Sequence, residues 1–425
     1  MKFRLSVISS HVARDGGIRD GGVRRRLRSG VLLTSAALGT AALALAVLPR
    51  PSLAQTSAAA GERQPAASGR LSVPGASASW QVVRPPKLAA NNTLNGLAVV
   101  SSRLAWAAGA EGWSSDGSNN GRPLLLRWNG NTWSKVSLPA AWRGGITAVA
   151  SSSATSAWAL GMNSQDTKIA HLLHWAGSGW HSMTMPAVSA SIEADINLAA
   201  APGGRAWISL DGSANSSSLY AWNGQKWAAQ SYPCAQWACG IVALGARAST
   251  DAWAVGNYVT SSGTGGPMAM HWTGSGWQQT TVPYVKDGYL TGVYAASATN
   301  AWAVGAVFQT SAMLLYHWNG TTWKQVPTPA GLTPPPAGDY ARVTGDGASR
   351  IWLYGFGTSA SGQAHYLRYD GHSWSMISDA LTPSLGEVIV RGFAAVPGTR
   401  VMWSVGIGLT TAQRAGRARI ERYLP

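Results

Sequence analysis

The hexapeptide DAWAVG at residues 251–256 is followed, twenty residues further along the chain, by HWTGSGW at residues 271–277. Related pairs of phrases recur through the rest of the sequence. The first phrase places one tryptophan about every fifty residues, at Trp106, Trp158, Trp207, Trp253, Trp302, Trp352 and Trp403. The chain therefore carries seven copies of one repeat.

Two further aromatic series follow the first in each copy. The second occupies Trp128, Trp175, Trp222, Trp272, Trp318, Tyr369 and Tyr423. The third stands five residues later in the first six copies, at Trp133, Trp180, Trp227, Trp277, Trp323 and Trp374. The seventh copy lacks this third member, and Trp80 stands in the same context at the other end of the array, in ASWQVVRPP.

A repeat of about fifty residues with short alternating runs predicts a β-propeller blade, whose four antiparallel strands bury their faces only by stacking on neighbouring blades. In the fourth copy we expect strands at 241–248, 251–256, 268–272 and 276–282. Asn-Gly in WNGNTW and WNGTTW predicts two-residue hairpins. The prediction is an all-β, seven-bladed propeller over residues 80–425, closed by an N-terminal strand that completes the last blade.

The repeated tryptophans are then expected between blades, where each would bury on the order of 150 to 250 Å². Of the 22 tryptophans, the three series and Trp80 use 19, so three remain: Trp113, Trp142 and Trp237. All three map to connections between predicted strands. We expect them to be exposed there, and exposed tryptophans often mark binding sites.

These phrases resemble the kelch and galactose-oxidase central-domain class of propeller, and more closely the secreted bacterial repeat proteins whose blades carry W-A-V-G and H-W-N-G-x-x-W. DAWAVG, NAWAVG (300–305) and RWNGNTW carry the resemblance. The chain departs from true kelch repeats in having one glycine after the second strand where they have a pair. The resemblance implies a propeller fold and an exported location.

Residues 1–54 are predicted to be an export signal, because RRRLR (24–28) precedes an apolar run and a small-x-small cleavage motif ends at Ala54. A twin-arginine-like signal, a general secretory signal and an uncleaved membrane anchor all stay open. Residues 55–79 are predicted to be a flexible Ala/Ser/Gly/Pro linker. Membrane contact is expected only through an uncleaved signal.

Charge and composition narrow the class of protein. The chain has 50 glycines, 22 tryptophans and only 12% charged residues, which favours an all-β fold. Of the formal net charge of +16, residues 1–54 hold nine cations and two acids, so the remainder keeps 24 minus 15, or +9. These cations are scattered along the sequence, apart from a group near the C-terminus, so we expect no nucleic-acid partner. We expect a monomer.

Cysteines and histidines give no catalytic or metal motif. Cys234 and Cys239 are expected to form a disulfide that pins the loop carrying Trp237. His174, His271 and His317 each precede the aromatic residue of the third strand, which predicts a shared structural role. A galactose-oxidase-like copper site and a sialidase-like arginine site cannot be assembled from the residues at hand, so we expect no metal and no cofactor.

The leading hypothesis is an exported, non-catalytic propeller that binds a glycan or an extracellular or envelope protein. Its ligand face is formed by the connections from strand four to strand one and from strand two to strand three. The predicted ligand-binding residues are Trp113, Trp142, Trp237, Asp287, Asp339 and Tyr340. One alternative is a glycan-active enzyme, sialidase-like or galactose-oxidase-like, that uses acids of the same face: Glu111, Asp116, Asp166, Glu193, Asp195, Asp211, Asp287, Asp339, Asp379 and Glu387. Another is a cell-envelope scaffold with no small ligand.

Overall fold

The structure is a computed structural model. It describes residues 79–114, 120–139, 142–162, 170–186, 192–212, 217–308, 310–329, 332, 341–346, 350–355, 364–382, 384–410 and 415–425. The predicted export signal and the predicted linker up to residue 78 lie outside the described residues. Within the described part, no helix has the length and apolarity to cross a membrane.

The described residues form strands β1 to β28, numbered in chain order. The chain begins its sheets with β1 (Ser79–Val82). Blade 1 contains β2 (Asn92–Ser101), β3 (Leu104–Trp113), β4 (Asn120–Trp128) and β5 (Trp133–Lys135). Blade 2 contains β6 (Ile146–Ser153), β7 (Ser156–Met162), β8 (Ala170–Trp175) and β9 (Trp180–Met183). Blade 3 contains β10 (Ile192–Ala200), β11 (Ala206–Gly212), β12 (Ser217–Trp222) and β13 (Trp227–Gln230).

The remaining blades repeat this order. Blade 4 contains β14 (Ala238–Ala248), β15 (Asp251–Val259), β16 (Gly265–Trp272) and β17 (Trp277–Thr280). Blade 5 contains β18 (Gly288–Ser297), β19 (Asn300–Val307), β20 (Met313–Trp318) and β21 (Trp323–Gln325). Blade 6 contains β22 (Arg342–Gly345), β23 (Ile351–Tyr354), β24 (His365–Tyr369) and β25 (Trp374–Ser378). Blade 7 contains β26 (Leu385–Ala395), β27 (Met402–Thr410), β28 (Gly416–Leu424) and β1.

The ring closes as the sequence predicts. β1 pairs antiparallel with β28, so that Trp80 stands opposite Tyr423 in the four-stranded sheet β1-β28-β27-β26. The Trp80 ring stacks on Tyr366 of blade 6, with 4.4 Å between ring centroids. The predicted fold, seven blades of four antiparallel strands closed by an N-terminal strand, is therefore confirmed.

Buried tryptophans join each blade to the next. In blade 4, Trp253 lies 5.3 Å from Trp318 and 5.0 Å from Trp323 of blade 5, measured between ring centroids. Trp106 and Trp158 make the same two contacts with the blades that follow them. The tryptophan of the second strand thus inserts between the two aromatic residues of its neighbour, and its role is structural.

In six of the seven blades a residue of the third strand, either an imidazole or a cation, covers the face of the second-strand tryptophan. In blade 3, where Ala221 stands at that position, Arg205 lies over Trp207. In blades 2, 4 and 5 the covering residue is the paired histidine of the third strand, with 4.1 to 4.3 Å between ring centroids: His174, His271 and His317. In blades 1, 6 and 7 it is an arginine: Arg127, Arg368 and Arg422. The predicted shared role of the three histidines is confirmed, because each pairs with the tryptophan of its own blade.

The residue two positions before the second-strand tryptophan depends on whether histidine or arginine covers the tryptophan ring. Where the cover is histidine, a polar residue hydrogen-bonds to its ring nitrogen: Ser156 at 3.2 Å, Asp251 at 2.8 Å and Asn300 at 3.0 Å. Where it is arginine, the same position holds Leu104, Arg350 or Val401. An imidazole buried against a tryptophan needs a partner for its inward nitrogen, which explains the first letter of SAW, DAW and NAW.

The glycine that ends DAWAVG has a steric cause. β14 carries an irregularity between Ile241 and Ala243 where it pairs with β15. A Cβ on Gly256 would overlap the carbonyl oxygen of Gly240 at this point. Gly109, Gly305 and Gly406 meet the same obstacle in their own blades. The motif therefore needs glycine because the bulged innermost strand approaches too closely for any side chain.

The turns between the third and fourth strands differ from those that the sequence predicts. Trp128 pairs with Trp133, so four residues form the connection where a two-residue hairpin was expected. Gly130 alone takes a positive φ, 101°, while the Asn129 side-chain oxygen accepts hydrogen bonds from the backbone N–H groups of Asn131 and Thr132. The asparagine is selected for this side-chain capping and not for its own backbone angles.

Candidate functional site

Exposed apolar side chains gather on one face of the ring. We call the loop face the surface formed by the connections from strand four to strand one and from strand two to strand three. Among the described residues, the exposed large hydrophobic side chains are Val82, Trp237, Tyr284, Phe308 and Leu381. The last four all lie in these connections, so the loop face carries nearly all the exposed apolar groups of this size.

Trp237 is the most exposed of them, at 67%. It precedes β14 inside a short ring closed by the disulfide between Cys234 and Cys239, whose Cα atoms lie 6.1 Å apart. Below this ring, the Tyr232 hydroxyl donates to the carbonyl oxygen of Ser217 at 2.6 Å. The loop is thus fastened at its base, and an indole is held in solvent at its tip.

Two tyrosines continue this surface towards blade 5. Tyr258 stands opposite Cys239 in the pairing of β14 with β15. Cys239 is the second residue of β14, which begins directly after Trp237. Partial burial, together with the neighbouring Tyr284, raises the pKa of Tyr258. Tyr284 itself is 60% exposed. The two phenols therefore lie close enough to interact, and the Tyr258 phenol stays neutral over the physiological pH range.

Asp287 fastens the blade 5 end of the surface through its backbone. Its φ is 56°, a left-handed conformation that aspartate tolerates better than most residues. Its N–H donates to the carbonyl oxygen of Gly265 at 3.0 Å, and its own carbonyl oxygen accepts from Phe308 N–H at 2.9 Å. The Phe308 side chain, 57% exposed, is thereby held beside the blade 4 connection.

A turn rich in hydroxyl groups borders these rings. The Thr260 hydroxyl lies 2.9 Å from that of Ser262 and 2.8 Å from that of Thr264, and all three belong to the connection between β15 and β16. Hydroxyl groups of this kind both donate and accept. We call Trp237, Tyr258, Tyr284, Phe308 and this turn the aromatic surface.

The expected exposure of Trp142 is wrong. It is only 8% exposed and its ring stacks on His171, with 4.4 Å between ring centroids. Its six-membered ring lies where a Cβ on Gly161 would stand. Trp142 therefore fills the space left by the motif glycine of blade 2, and it offers no stacking platform to a ligand.

Trp113 is half-buried and ends strand β3, although the sequence placed it in a connection. Its ring packs against Gly416 of blade 7, where any Cβ would overlap it. Asp339 and Tyr340 lie outside the described residues. Of the six predicted ligand-binding residues, the structure thus places Trp237 in the aromatic surface, Asp287 beside it, Trp113 at the junction of blades 7 and 1, and Trp142 in the core.

Of the four loop-face acids whose side chains the structure describes, Glu111 and Asp379 are engaged in structural contacts. Glu111 is 2% exposed and contacts Arg122 at 3.0 Å and Lys135 at 2.5 Å. Burial opposes its ionisation, but hydrogen bonds from Lys135, Ala89 N–H and Arg122 lower the pKa of Glu111 overall. Asp287 and Glu387 are half-buried. The other six acids, or their side chains, lie outside the described part of the chain: Asp116, Asp166, Glu193, Asp195, Asp211 and Asp339.

Asp379 belongs to a buried cluster between blades 6 and 7. The Arg419 guanidinium contacts Glu421 at 2.5 Å and Asp379 at 3.4 Å, and it also donates to the Thr382 hydroxyl at 2.7 Å. Burial raises the pKa of Glu421 to about 8 and that of Asp379 to about 6, and the two carboxyl groups hydrogen-bond to each other. One arginine thus faces two acids that share a proton near neutral pH.

This cluster does not form an accessible reaction centre. Arg419 and Glu421 are 6% and 1% exposed. The space beside them, lined by Val388, Val390, Ser404, Val405 and their neighbours, is too small to admit a water molecule. Among the described residues, no group of three or more His, Cys, Asp or Glu is placed to hold a metal ion.

No protein-family model matches the sequence, and no curated protein matches it at a significant level. The kelch-like class therefore stays a resemblance. Solved structures that are similar in fold include Ycf48 from Cyanidioschyzon merolae, with a TM-score of 0.48, 14% identity, and 82% of this chain and 99% of that chain covered. The SapL1 lectin in complex with α-methyl fucoside has a TM-score of 0.45 and 13% identity, covering 70% of this chain and 98% of that one.

An Aleuria aurantia lectin mutant in complex with α-methyl-L-fucoside has a TM-score of 0.44 and 15% identity, covering 68% of this chain and 95% of that one. Ycf48 has also been solved bound to a D1 peptide, with a TM-score of 0.48, 14% identity, and 85% of this chain and 99% of that one covered. At such identities and TM-scores, none of these structures indicates a ligand for this chain.

Sequence reasoning missed Tyr284 and Phe308. Neither residue belongs to a repeated aromatic series. Each is, like Trp237, an additional aromatic residue in a connection between strands, and this position is visible in the sequence. Tyrosine and phenylalanine outside the repeated series are thus as informative as the surplus tryptophans, and these two lie in the connections around blade 5.

Proposed function

We propose that this protein is an exported, non-catalytic propeller that binds a glycan chain on the aromatic surface of blades 4 and 5. The observation that carries the proposal is the exposure of Trp237, at 67%, on a loop closed by a disulfide. Holding a large apolar ring in water is unfavourable, and fixing it there serves no purpose in the packing of the blades. A rigid indole that is ready to stack loses little entropy on binding.

The chemistry around the indole favours a sugar as ligand. A pyranose presents an apolar C–H face and a rim of hydroxyl groups, and the aromatic surface offers both matching parts. Trp237 and Tyr284 supply exposed rings, and the Thr260–Thr264 turn supplies exposed hydroxyl groups. Such a mixture of a few apolar platforms with convergent polar groups is typical of small-ligand sites.

A protein segment is the second candidate ligand, favoured by a specific observation. Phe308 and Leu381 are 57% and 56% exposed and have no polar atom in their side chains. Apolar anchors of this kind serve protein interfaces well. The two ligands are separated by screening the protein against glycans and against co-exported proteins from the same cells.

The test is a glycan array probed with the full chain and with Trp237→Ala/Tyr284→Ala. Removing two stacking rings should weaken binding by about 2 kcal/mol, roughly 30-fold, if they anchor the ligand. Val82→Ala/Leu381→Ala is the matched control, because both side chains are similarly exposed but lie outside the aromatic surface. Retention of glycan binding by the aromatic variant would refute the site. Capture of a protein with a silent array would favour the second ligand.

A further inference from the structure

Six exposed cations lie on the loop face where blade 7 meets blade 1. They are Arg84, Lys87, Arg122, Lys135, Arg143 and Arg417. The described segments that carry them, 79–91, 111–114, 120–122, 133–139, 142–144 and 415–418, hold one carboxylate, Glu111, so their net charge is six minus one, or +5. We call these six side chains the basic surface.

Backbone contacts bring the six cations together from separate parts of the sequence. Val83 N–H donates to the carbonyl oxygen of Ile420 at 2.9 Å, which sets Arg84 on blade 7. Ala89 N–H donates to the Glu111 carboxylate at 2.9 Å, which brings the Lys87 segment to blade 1. Gly144 N–H donates to the carbonyl oxygen of Gly121 at 3.1 Å, which holds Arg143 beside Arg122.

Blade 7 completes the basic surface. Ala418 N–H donates to the Asn92 side-chain oxygen at 2.6 Å, so that Arg417 stands at the beginning of β2. Charges scattered along the sequence are therefore clustered in space, which corrects the expectation of isolated cations. The junction of blades 7 and 1 also lies across the seven-membered ring from blades 4 and 5, so the basic surface is separate from the aromatic one.

Four of these cations have no carboxylate partner among the described residues. Glu111 is shared between Arg122 and Lys135, and it is ionised because their hydrogen bonds hold its pKa down. Within the described part of the chain, Arg84, Lys87, Arg143 and Arg417 make no ion pair with any carboxylate, although Glu387 stands half-buried on β26 of blade 7. Like charges held together repel, so the cluster is stabilised when an anion binds.

We propose that the basic surface binds an acidic polysaccharide, a sugar polymer whose carboxylate or phosphate groups are spaced along a flexible chain. The cations extend over the closing segment and two blades, which suits a long ligand better than a single small anion. The proposal does not depend on the aromatic surface, because it uses other blades and other chemistry.

Nucleic acid and membranes fit the basic surface less well. Single-stranded nucleic acids are held by bases stacked on exposed aromatic rings beside the cations. Here the aromatic side chain, Trp113, packs against Gly416 and is half-buried. Anionic membranes are bound by cations together with apolar groups that insert, and Val82, 51% exposed, is the one large apolar side chain at hand among the described residues.

The experiment measures binding of the full chain to polygalacturonate, with neutral dextran as the uncharged polymer. Reversing the four unpaired cations together, in R84E/K87E/R143E/R417E, should weaken binding at least about 30-fold, because attraction becomes repulsion. Binding by the unaltered chain should also weaken steeply with salt. Arg122 and Lys135 are left in place, since removing them would leave Glu111 buried without its partners.

The control reverses four exposed cations of the opposite face, in R103E/K226E/K324E/R400E. Its net charge equals that of the test variant, but its residues lie on blades 1, 3, 5 and 7. We expect a loss below about threefold for this control. Equal losses in both variants would show an effect of net charge alone and overturn the proposal. So would tighter binding of an oligonucleotide or of anionic lipid vesicles than of polygalacturonate, or no binding of the polymer at all.

Discussion

The interface between blades 4 and 5 and the interface between blades 6 and 7 share one strand geometry but not one chemistry. In the first, Val255 and Ala269 face Ala303, Leu314 and Tyr316, and the interface is apolar. At the equivalent register of the second stand Tyr354 and Tyr366 against Ser404, Arg419 and Glu421. Backbone pairing therefore determines where side chains meet, while their identity determines how stability responds to mutation and pH.

The aromatic contacts also differ between the two interfaces. Trp253 has both partner rings at 5.0 to 5.3 Å. Trp352 has Tyr423 at 4.8 Å, but Trp80 of β1 lies 6.3 Å away. The closing strand compensates because Trp80 stacks on Tyr366 at 4.4 Å. The interface made by the chain ends thus relies on a wider set of contacts than the interface within the array.

The largest expected effect is loss of the central tryptophan. Trp253→Ala should lower the free energy of unfolding by about 4 to 5 kcal/mol, and Trp352→Ala by about 3 kcal/mol, because a larger cavity is left where both partner rings are close. Urea unfolding followed by circular dichroism measures both values. A larger loss for Trp352→Ala would contradict the contrast drawn from the ring distances.

Removing the buried guanidinium should have the next largest effect. Arg419→Met leaves Asp379 and Glu421 without their cation, and breaking a buried ion cluster in this way costs about 3 to 4 kcal/mol. Leu314→Met is the matched change at the same register of the apolar interface and should cost less than about 1.5 kcal/mol. If thermal or urea unfolding gives similar losses of stability for the two variants, the charged cluster contributes nothing specific to the interface between blades 6 and 7, which we call the closing interface.

The closing interface should also make stability depend on pH. Burial raises the pKa of Glu421 to about 8, so the folded state keeps a proton that the unfolded chain loses near its ordinary value. The Glu421 contribution to stability should therefore fall as pH rises from about 6.5 to 8, by up to about 1.4 kcal/mol per pH unit for one proton. Burial lowers the pKa of His171, His174 and His317, so the unfolded chain binds more protons at these sites near pH 6.5 and they contribute a slope of the opposite sign there.

Glu421→Gln supplies the control for this pH dependence. The amide has the shape of the protonated carboxyl group but cannot lose a proton, so the variant should become more stable relative to the unaltered protein as pH rises from 6.5 to 8. The measurement is the urea midpoint of both proteins at a series of pH values. A stability difference between the two proteins that does not change with pH would assign the titration to another group.

The smallest expected effects come from removing one hydroxyl group at the interface of blades 6 and 7 and from adding one at the interface of blades 4 and 5. Ser404→Ala removes the acceptor of the Tyr366 hydroxyl, a hydrogen bond of 2.9 Å, and should cost about 1 kcal/mol. Ala303→Ser places a hydroxyl among apolar neighbours and should cost a similar amount. Calorimetric melting of both proteins tests this. Stabilisation by Ala303→Ser would show that the apolar interface can satisfy a polar group after all.

The fold could be predicted because its determinants repeat. One motif such as DAWAVG is weak, but seven in register with two further aromatic series define the blade, and the position of Trp80 predicts the closure. The turns differ from the prediction because Asn-Gly occurs in two turn types, and the sequence does not show whether asparagine is selected for its backbone angles or, like Asn129, for side-chain capping.

The candidate site was less predictable because exposure is decided by neighbours far away in sequence. Trp142 and Trp237 look alike in sequence, as tryptophans in strand-four to strand-one connections. Trp142 is buried because Gly161 leaves room for its ring, whereas Trp237 is exposed on a loop that is closed by a disulfide. The basic surface escaped detection for the same reason, since its six cations come together only when the chain ends meet.

The pairing of β1 with β28 has a consequence for biogenesis. Trp80 and Tyr423 are 343 residues apart (423 minus 80), so the first strand to leave the ribosome or an export channel has no partner until the last one follows. During that interval β1 is an unpaired strand, and the unfinished seventh blade offers an open edge to any chain nearby. We expect the assembling protein to be most vulnerable to aggregation and proteolysis just before its final strand is delivered.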